Sequence, residues 1–225
     1  MNILVTGGCG FIGSNFIETI INKRQVSKIV NVDVLSYAGS LTNTDKFSKH
    51  KKYIFENYDL SDYDKTYDTF YKHDITHVVH LAAESHVDNS IKGSREFVQS
   101  NIIGTHSLLE ACKKFNCRFH HVSTDEVYGE AEENERFTEQ TAYDPRNPYS
   151  ATKAASDFLV SAYINTHKIK ATISNCSNNY GPNQHEEKFI PTIIKKLLND
   201  ELVPVYGEGT NVRDWIYVTD HCEAL

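Results

Sequence analysis

The chain has 225 residues, of which 40% are hydrophobic and 24% are charged, and its formal net charge at pH 7 is −7. This length and composition are typical of a globular protein with one large domain or one and a half smaller ones. The negative charge argues against non-specific electrostatic binding to nucleic acid or anionic lipid. No basic segment with a cleavage site opens the chain, and no apolar run approaches the roughly 20 residues that span a bilayer. We therefore expect no nucleic-acid partner, no membrane partner and no signal peptide.

The cysteines and histidines follow neither a disulfide pattern nor a metal-binding pattern. Five cysteines, an odd number without any C-x-x-C spacing, are typical of a reduced, cytoplasmic protein. No H-E-x-x-H pair occurs, and the adjacent His120 and His121 lie on a predicted strand, so their side chains point to opposite faces. The sequence therefore predicts a cytoplasmic location and no metal site.

Short β-branched runs alternate with longer amphipathic segments along most of the chain. The runs predict buried strands at 2–6, 28–32, 53–56, 77–81, 118–123 and 171–175. The segments between them predict helices at 11–22, 62–72, 94–115 and 148–166, the third with Val98, Ile102, Leu109 and Cys112 on one apolar face. Such alternation is typical of the α/β class, with a doubly wound parallel sheet and right-handed crossovers.

The pattern changes after Gly181. A polar loop at 183–188 precedes a predicted helix near 190–198, and two extended pieces at 202–206 and 212–218 flank a glycine turn at 207–209. This change predicts a main domain at 1–180 and the start of a smaller subdomain at 181–225. Residues 223–225 fall within what is predicted to be a new helix, so we expect the smaller subdomain to be truncated.

A glycine-rich segment separates the first predicted strand from the first predicted helix. It fits a G-x-G-x-x-G pattern through Gly8, Gly10 and Gly13. It equally fits a G-x-x-G-x-x-G pattern that starts at Gly7. In either pattern the glycines allow a tight turn and bring backbone close to a pyrophosphate, while the following helix offers free N–H groups. The position of this loop predicts a Rossmann-type dinucleotide-binding domain.

Asp33, at the end of the second predicted strand, indicates which dinucleotide is bound. It follows Gly13 by 20 residues, where a carboxylate accepts hydrogen bonds from both ribose hydroxyls and repels a 2′-phosphate. Residues 34–37 contain no arginine or lysine that would hold that phosphate. The sequence therefore favours NAD over NADP. Asp59, after the third strand, is either a contact to the adenine or a simple loop aspartate.

A tyrosine and a lysine four residues apart begin the helix predicted at 148–166. Asn147 is a good N-cap and Pro148 a good first helical residue, so Tyr149 and Lys153 share one face near the start of this helix. A nearby ammonium lowers the pKa of a phenol, which lets the tyrosine remove a proton from a sugar hydroxyl. An exposed pair without function is the alternative, but the preceding dinucleotide loop favours catalysis.

The glycine loop and the tyrosine–lysine pair together are similar to those of the extended short-chain dehydrogenase/reductase family, whose members act on nucleotide sugars. The segment 80–83 (His-Leu-Ala-Ala) and Asn101 in the long helix also resemble that family's pattern. The resemblance extends over essentially the whole chain. It implies NAD as cofactor and a dTDP- or UDP-linked hexose as substrate.

Two adjacent acids, Asp125 and Glu126, follow the fifth predicted strand. Acids at the carboxyl edge of an open α/β sheet lie where such sheets bind ligands, and crowding separates their pKa values. A solvated acidic turn is the alternative. The segments 82–88, 123–129, 175–182 and 213–215 are similar to those of the nucleotide-sugar dehydratases in this family. Related epimerases and decarboxylases carry a different residue at the position of Asp125.

The resemblance implies a dehydration in three stages. Tyr149, helped by Thr124 and Lys153, removes a proton from the sugar 4-hydroxyl while C4 is oxidised. Glu126 then takes the C5 proton while Asp125 protonates the departing C6 hydroxyl. Hydride finally returns to C6 and leaves a 4-keto-6-deoxy sugar.

The same resemblance implies a full set of site residues. The implied catalytic residues are Thr124, Asp125, Glu126, Tyr149 and Lys153. The implied cofactor-binding residues are Gly7, Gly10, Phe11, Ile12, Gly13, Asp33, Val34, Leu35, Ser36, Asp59, Leu60, Leu81, Ala82, Ala83, Ser100, Tyr149, Lys153 and Asn179. The implied substrate-binding residues are Ser85, Thr124, Asn178, Lys188, Phe189, Tyr206 and Arg213. Lys188 and Arg213 also suit a diphosphate on their own chemistry, as cations in an acidic protein.

Several alternatives stay open at this point. A UDP-sugar dehydratase, a 4-epimerase or a decarboxylase shares most of these residues, and a non-catalytic NAD-binding or sensor protein would share the fold. The five catalytic residues argue against a sensor, which has no need of them. The resemblance also implies a homodimer through the helix at 94–115 and the helix that carries the tyrosine.

Overall fold

Six parallel strands form the central sheet, in the order β3-β2-β1-β4-β5-β6. The computed structural model describes residues 1–131, 135–205 and 208–225. The strands are β1 (Asn2–Thr6), β2 (Lys28–Val32), β3 (Tyr53–Glu56), β4 (His77–His80), β5 (Arg118–Thr124) and β6 (Lys170–Cys176). Every one of them was predicted, with ends that differ by at most one residue. The strand order confirms the doubly wound, Rossmann-type sheet.

Eight α-helices occur in the described ranges. They are α1 (Phe11–Ile20), α2 (Tyr63–His73), α3 (Val87–Lys92), α4 (Arg95–Phe97), α5 (Gly104–Phe115), α6 (Pro148–His167), α7 (Phe189–Leu198) and α8 (Val218–Ala224). The short, polar α3 was not predicted, because it lacks an apolar stripe that could signal it. None of the helices in the part of the chain described here is long and apolar enough to cross a membrane.

Two hydrophobic clusters cover the two faces of the sheet. Successive residues of β1 point to opposite sides, so that Leu4 packs with α2, α5 and α6 while Ile3 and Val5 pack with α1 and α8. All three of these side chains are buried. Burial on both faces explains why each strand is a near-continuous apolar run in the sequence.

The helix predicted at 94–115 contains a π-helical segment, Val98–Ile103, between α4 and α5. In this segment the Gly104 N–H donates to the Gln99 carbonyl, five residues earlier. The wider turn rotates the helix face, so Val98, which was predicted to lie on the buried stripe, is 43% exposed, whereas Leu109 and Cys112 are buried as predicted. The π-helical segment also buries Asn101, whose amide donates to the Thr152 hydroxyl (2.9 Å).

The region after Gly181 differs in part from the prediction. The helix near 190–198 is confirmed as α7, but residues 202–205 form no strand, and Tyr206 and Gly207 lie outside the described residues. The second extended piece contains the short strand β8 (Trp215–Tyr217), which pairs in parallel with an unpredicted strand, β7 (Asn178–Tyr180). α8 begins at Val218, earlier than expected.

Residues from this region pack on the main domain. Val218 and Cys222 of α8 are buried against Phe16 and Ile17 of α1. The Asn15 amide donates to the Pro182 carbonyl (2.9 Å). The division at residues 180 and 181 into two units stays a prediction.

Candidate active site

A cleft of about 750 Å³ lies at the carboxyl edge of the sheet. The predicted site residues that line it are Gly7, Gly10, Phe11, Ile12, Gly13, Asp33, Val34, Ser36, Asp59, Leu60, Leu81, Ala82, Ala83, Ser85, Ser100, Thr124, Glu126, Tyr149, Lys153, Asn178, Asn179 and Lys188. Four predicted residues lie outside the lining: Leu35, Asp125, Phe189 and Arg213. Tyr206 is outside the described residues. One cleft thus collects most of the predicted cofactor, substrate and catalytic positions.

The glycine loop closes one end of the cleft, and its geometry distinguishes the two sequence patterns. A Cβ at Gly7, where φ is +70°, would lie 2.8 Å from the Cα and N of Ala82. A Cβ at Gly13 would lie 2.8 Å from the Gly7 carbonyl carbon. A Cβ at Gly8 would instead meet the Asn31 and Ile17 side chains, away from the cleft. The geometry therefore favours the pattern through Gly7, Gly10 and Gly13, which all line the cleft.

The start of α1 faces the cleft with its backbone N–H groups. Its N-cap is Gly10, which has no side chain to accept hydrogen bonds from the first turn. A Cβ at Gly10 would meet only the Gly7 carbonyl oxygen, at 3.2 Å, so the backbone here is open to a close approach. Free N–H groups and the partial positive charge of a helix start suit a pyrophosphate.

Asp33 lies opposite this loop at the end of β2. Its Oδ2 accepts a hydrogen bond from the Cys9 N–H (2.9 Å) and its Oδ1 accepts one from the Leu35 N–H (2.8 Å). Burial raises the pKa of Asp33, while these two hydrogen bonds act to lower it. Leu35, a predicted cofactor-binding residue, donates its N–H to this carboxylate from a backbone with φ of +57°. The two hydrogen bonds thus hold the aspartate in one orientation at the cleft wall.

The predicted catalytic pair, Tyr149 and Lys153, lies on the first turns of α6, whose start was predicted correctly. The Asn147 side chain accepts from the Ser150 N–H (2.8 Å), and the Ser150 hydroxyl accepts from the Asn147 N–H (3.2 Å). This capping box, together with Pro148, fixes the first turn. Tyr149 and Lys153 are consequently buried side by side at the cleft wall.

Burial shifts the pKa values of Tyr149 and Lys153 in opposite directions. The Lys153 ammonium donates to the Val122 carbonyl (2.9 Å), and burial lowers its pKa to about 8. Burial, and next the Glu126 carboxylate, raise the pKa of Tyr149, while the Thr124 hydroxyl acts to lower it. In this structure burial outweighs any lowering of the phenol pKa by Lys153, whose ammonium is directed toward the end of β5.

The two acids occupy a short 3₁₀ turn, Asp125–Tyr128, directly after β5. The Thr124 hydroxyl donates to Asp125 Oδ1 (3.3 Å) and accepts from the Glu126 N–H (3.3 Å). Burial raises the pKa of both carboxyls, and the negative charge of Asp125 raises that of Glu126 further. Burial thus favours the protonated form of both carboxyls, and their unequal surroundings separate their pKa values.

The predicted substrate residues differ in how close they lie to the cleft and the two acids. Lys188, the N-cap of α7, lines the cleft and acts to lower the pKa of Glu126. Arg213 is exposed and donates to the Val212 carbonyl (2.7 Å), yet its charge acts to lower the pKa of Asp125 and of Glu126. Phe189 is 60% exposed and stacks on Trp215 with ring centroids 6.1 Å apart. The cations of this set thus face the acids, whereas Phe189 lies away from them.

Some residues of the site have no signal in the local sequence. The Nδ1 of the buried His221 on α8 lies 2.8 Å from the Asn179 side-chain oxygen, which accepts the hydrogen bond. Tyr37 packs edge-on against His86 and against His185, of which His185 lines the cleft. These contacts join distant segments, so only the tertiary structure reveals them. In the described ranges, no group of three or more histidines, cysteines or acids could hold a metal ion.

Known proteins are similar to this chain over its whole length. The family model described as GDP-mannose 4,6 dehydratase matches residues 4–225. A curated dTDP-glucose 4,6-dehydratase of Escherichia coli is 50% identical, and the match covers 100% of this chain and 67% of that protein. The chain thus spans about two thirds of the length of this relative.

Solved structures agree with this assignment. The crystal structure of dTDP-glucose 4,6-dehydratase from Bacillus anthracis in complex with NAD has a TM-score of 0.93 and 42% identity, and the match covers 100% of this chain and 70% of that one. UDP-glucose 4-epimerase of Thermotoga maritima with UDP-glucose has a TM-score of 0.92 but 30% identity, over 100% of this chain and 72% of that one. With the fold, the glycine loop and the tyrosine–lysine pair in place, the chain belongs to the GDP-mannose 4,6-dehydratase family.

Proposed function

We propose that this chain is an NAD-dependent dTDP-glucose 4,6-dehydratase, which converts dTDP-glucose to dTDP-4-keto-6-deoxyglucose. The observation that carries the proposal is that Glu126 and Tyr149 line one cleft with the glycine loop, while Asp125 adjoins Glu126 on the same 3₁₀ turn. An elimination needs one acid to protonate a leaving hydroxyl and one base to take a C–H proton. The names of the E. coli and B. anthracis relatives support the same reaction.

The residues of the cleft fit NAD. The start of α1 would hold the pyrophosphate through its free N–H groups, and the open backbone at Gly10 would let it approach. Asp33 would accept the ribose hydroxyls. NAD, when bound, supplies a hydride acceptor at sugar C4 and a hydride donor at C6.

Tyr149 acts as the base that removes the proton from the sugar 4-hydroxyl. Its phenol is buried at the cleft wall, and the Thr124 hydroxyl acts to lower its pKa. Lys153 adds positive charge to the same wall while its ammonium stays bound to the Val122 carbonyl. The 4-ketone formed in this step acidifies the neighbouring C5 proton.

The two acids then divide the elimination between them. Glu126, which lines the cleft, accepts the C5 proton, and its raised pKa makes it a stronger base than an ordinary glutamate. Asp125 gives a proton to the departing C6 hydroxyl, and burial, which raises its pKa, favours the protonated form that this step needs. Water leaves and the C5–C6 double bond forms. Hydride then returns to C6 while Glu126 gives the proton back to C5, which leaves the 4-keto-6-deoxy sugar.

Product formation tests the proposal directly. The protein incubated with dTDP-glucose and NAD should yield a 4-keto-6-deoxy product that absorbs in alkali, without net consumption of NAD. Binding of NAD without any product would instead favour the non-catalytic alternative. Production of a 4-epimer without a keto product would favour the epimerase alternative.

The variant Asp125→Asn separates dehydration from the other activities of the family. It should lower keto-product formation by about 100-fold or more, because the general acid is lost. Oxidation at C4 should continue, and reduced cofactor should accumulate in the absorbance spectrum. Asp68→Asn, an exposed aspartate on α2, is the matched control and should behave as the parent protein. Full product formation by Asp125→Asn would contradict the assigned role.

The nucleobase of the substrate, thymine in dTDP-glucose or uracil in UDP-glucose, needs its own argument. UDP-linked hexoses share the diphosphate that Lys188 and Arg213 suit, and the T. maritima epimerase was solved with UDP-glucose. We propose dTDP-glucose because the E. coli and B. anthracis relatives with higher identity carry that name. The rise in melting temperature should be greater with dTDP-glucose than with an equal concentration of UDP-glucose.

We also propose a cytoplasmic homodimer. All five cysteines are free, which supports a reducing compartment. On the helices expected at the interface, Phe158 of α6 is 62% exposed and Val98 of the π-helical segment is 43% exposed. These two elements pack together, so their apolar side chains supply a surface that a second copy can cover.

A further inference from the structure

A buried carboxylate, Asp157, lies behind the catalytic lysine and has no role in the steps above. Tyr149, Lys153 and Asp157 follow one another at intervals of four residues on α6, so they share the face that packs on β5. Asp157 is 1% exposed and Lys153 is 4% exposed. A carboxylate so deeply buried is costly unless other groups compensate for its charge.

Hydrogen bonds hold the Asp157 carboxylate in one orientation. Its Oδ2 accepts from the Ser123 hydroxyl (2.8 Å) and from the Tyr143 hydroxyl (3.0 Å). Its Oδ1 is 3.2 Å from Nε2 of His121 and has no well-formed hydrogen bond among the described residues. One oxygen is therefore saturated, whereas the other is directed toward the histidine and the lysine beyond it.

His121 connects the carboxylate to the lysine. Its Nε2 lies between Asp157 Oδ1 at 3.2 Å and Lys153 Nζ at 3.5 Å. The ring is fully buried, and burial, followed by the charge of Lys153, holds its pKa well below the ordinary range, so it is neutral. A neutral ring leaves Asp157 as the negative charge that compensates for the Lys153 ammonium.

We propose that Asp157 is a positioning residue that keeps Lys153 protonated and directed at the end of β5. The inference rests on the proposed role of Lys153 in catalysis. Without the carboxylate, the ammonium would be buried beside neutral groups and would lose its proton at lower pH. The catalytic wall would then lose its positive charge at the pH where the enzyme works.

The other groups around Lys153 do not replace Asp157. The titratable groups that face it or its carboxylate from the packed elements are His80 on β4, His121 on β5, Cys176 on β6, Tyr149 on α6, and Tyr128 and Tyr143 before α6. Burial keeps the histidines neutral and raises the pKa of Cys176 to about 11. Burial raises the pKa of Asp157 too, but the Lys153 charge and the hydrogen bonds from Ser123 and Tyr143 act to lower it, so Asp157 is the group of this set that carries negative charge beside the lysine.

Titration of Lys153 by NMR tests the inference without any turnover. Protein labelled with ¹³C-lysine should show the Lys153 resonance, which is assigned by its loss in Lys153→Met. We expect its midpoint near pH 8 in the parent protein and at least about one pH unit lower in Asp157→Asn. The asparagine keeps an oxygen that accepts from Ser123 and Tyr143, so the substitution removes charge with little change in shape.

Two controls separate charge from packing. Ser123→Ala removes a hydrogen bond to the carboxylate but leaves its charge, so the Lys153 midpoint should stay near pH 8. Asp68→Asn removes a charge from exposed α2 and should leave the midpoint unchanged. An unchanged midpoint in Asp157→Asn would overturn the inference, even if activity fell.

A reciprocal measurement covers the case in which Asp157→Asn does not fold. Because coupling between two sites is mutual, removal of the ammonium in Lys153→Met should raise the pH at which the Asp157 carboxyl titrates. The ¹³C-aspartate spectrum reports that titration, and an unchanged value would overturn the inference. In an active protein, Asp157→Asn should also shift the alkaline limb of the rate profile to lower pH, whereas a merely structural role would lower the rate equally at every pH.

Discussion

The position that a Cβ would take at Gly13 is occupied by the backbone of the glycine loop itself. In Gly13→Ala the new methyl group would lie 2.8 Å from the Gly7 carbonyl carbon and from the Gly8 Cα. Backbone cannot rotate away as a side chain can, so the loop must shift as a whole. We expect the free energy of unfolding to fall by about 3 kcal/mol and NAD affinity to be lost, as measured by urea unfolding and by NAD titration.

Gly93→Ala is the matched control for this substitution. The nearest atom to its new Cβ is a Glu96 carboxylate oxygen at 4.0 Å, and the backbone at Gly93 is extended. The change in unfolding free energy should stay within about 0.5 kcal/mol. Equal stability of the two alanine variants would contradict the close packing described for Gly13.

At the scale of single residues, the sequence predicted where side chains lie better than which groups they contact. The spacing of Tyr149 and Lys153 correctly places both side chains at one wall, because i and i+4 positions share a helix face. It could not predict that Lys153 donates to Val122, since that depends on where β5 ends relative to α6. Nor could it predict the contact of His221 with Asn179, 42 residues apart in the chain.

At the scale of elements, side-chain hydrogen bonds to Glu56 connect β3 to α2. Glu56 accepts hydrogen bonds from Thr69 (2.7 Å) and Lys72 (2.7 Å) and lies 2.8 Å from Nε2 of His73. Burial acts to raise its pKa, but the hydrogen bonds outweigh burial and lower the pKa from 4.5 to about 2. These contacts stabilise the folded state only while the carboxylate is charged.

The lowered pKa predicts a loss of stability in acid. Above pH 4.5 the charged carboxylate is present in both states, and its contacts contribute about 2–3 kcal/mol to folding. As the pH falls from 4.5 toward 2, the unfolded state binds the proton first, so this contribution disappears. Urea unfolding should show that Glu56→Gln is less stable at pH 7 by about that amount, and that more than half of the difference is gone at pH 3.

Glu18→Gln is the control on the surface. Its carboxylate pairs with Lys46, and both side chains are largely open to solvent (41% and 64%), so its loss should cost little at either pH. A difference between parent and Glu56→Gln that does not change with pH would contradict the assigned cause.

The elements themselves were largely predictable. Parallel strands buried on both faces leave continuous apolar runs, and all six were found within one residue of their ends. The π-helical segment was not predicted, because one extra residue in a turn leaves the apolar spacing on either side nearly intact. The strand β7 and helix α3 are short and polar, so their formation depends on the tertiary contacts around them.

At the scale of the whole molecule, the proposed dimer can be tested at Phe158. The side chain is 62% exposed on α6, and a charged residue there would have to be desolvated at the interface. Light scattering should show a dimer for the parent protein and mostly monomer for Phe158→Lys. Tyr71→Lys, at a 75% exposed position on α2, should remain dimeric. A monomeric parent protein would refute the proposed assembly.

The packing of α8 on α1 has a consequence for how the protein folds. Cys222 donates to the carbonyl of Ile12, 210 positions earlier in the chain, and Val218 fills the same hydrophobic cluster. Contacts of such long sequence separation form late, because a large loop must close first. During synthesis, α1 therefore emerges from the ribosome long before its partner and has one apolar face exposed in the meantime. The glycine loop that leads into α1 should therefore become fully rigid only after α8 has packed on α1.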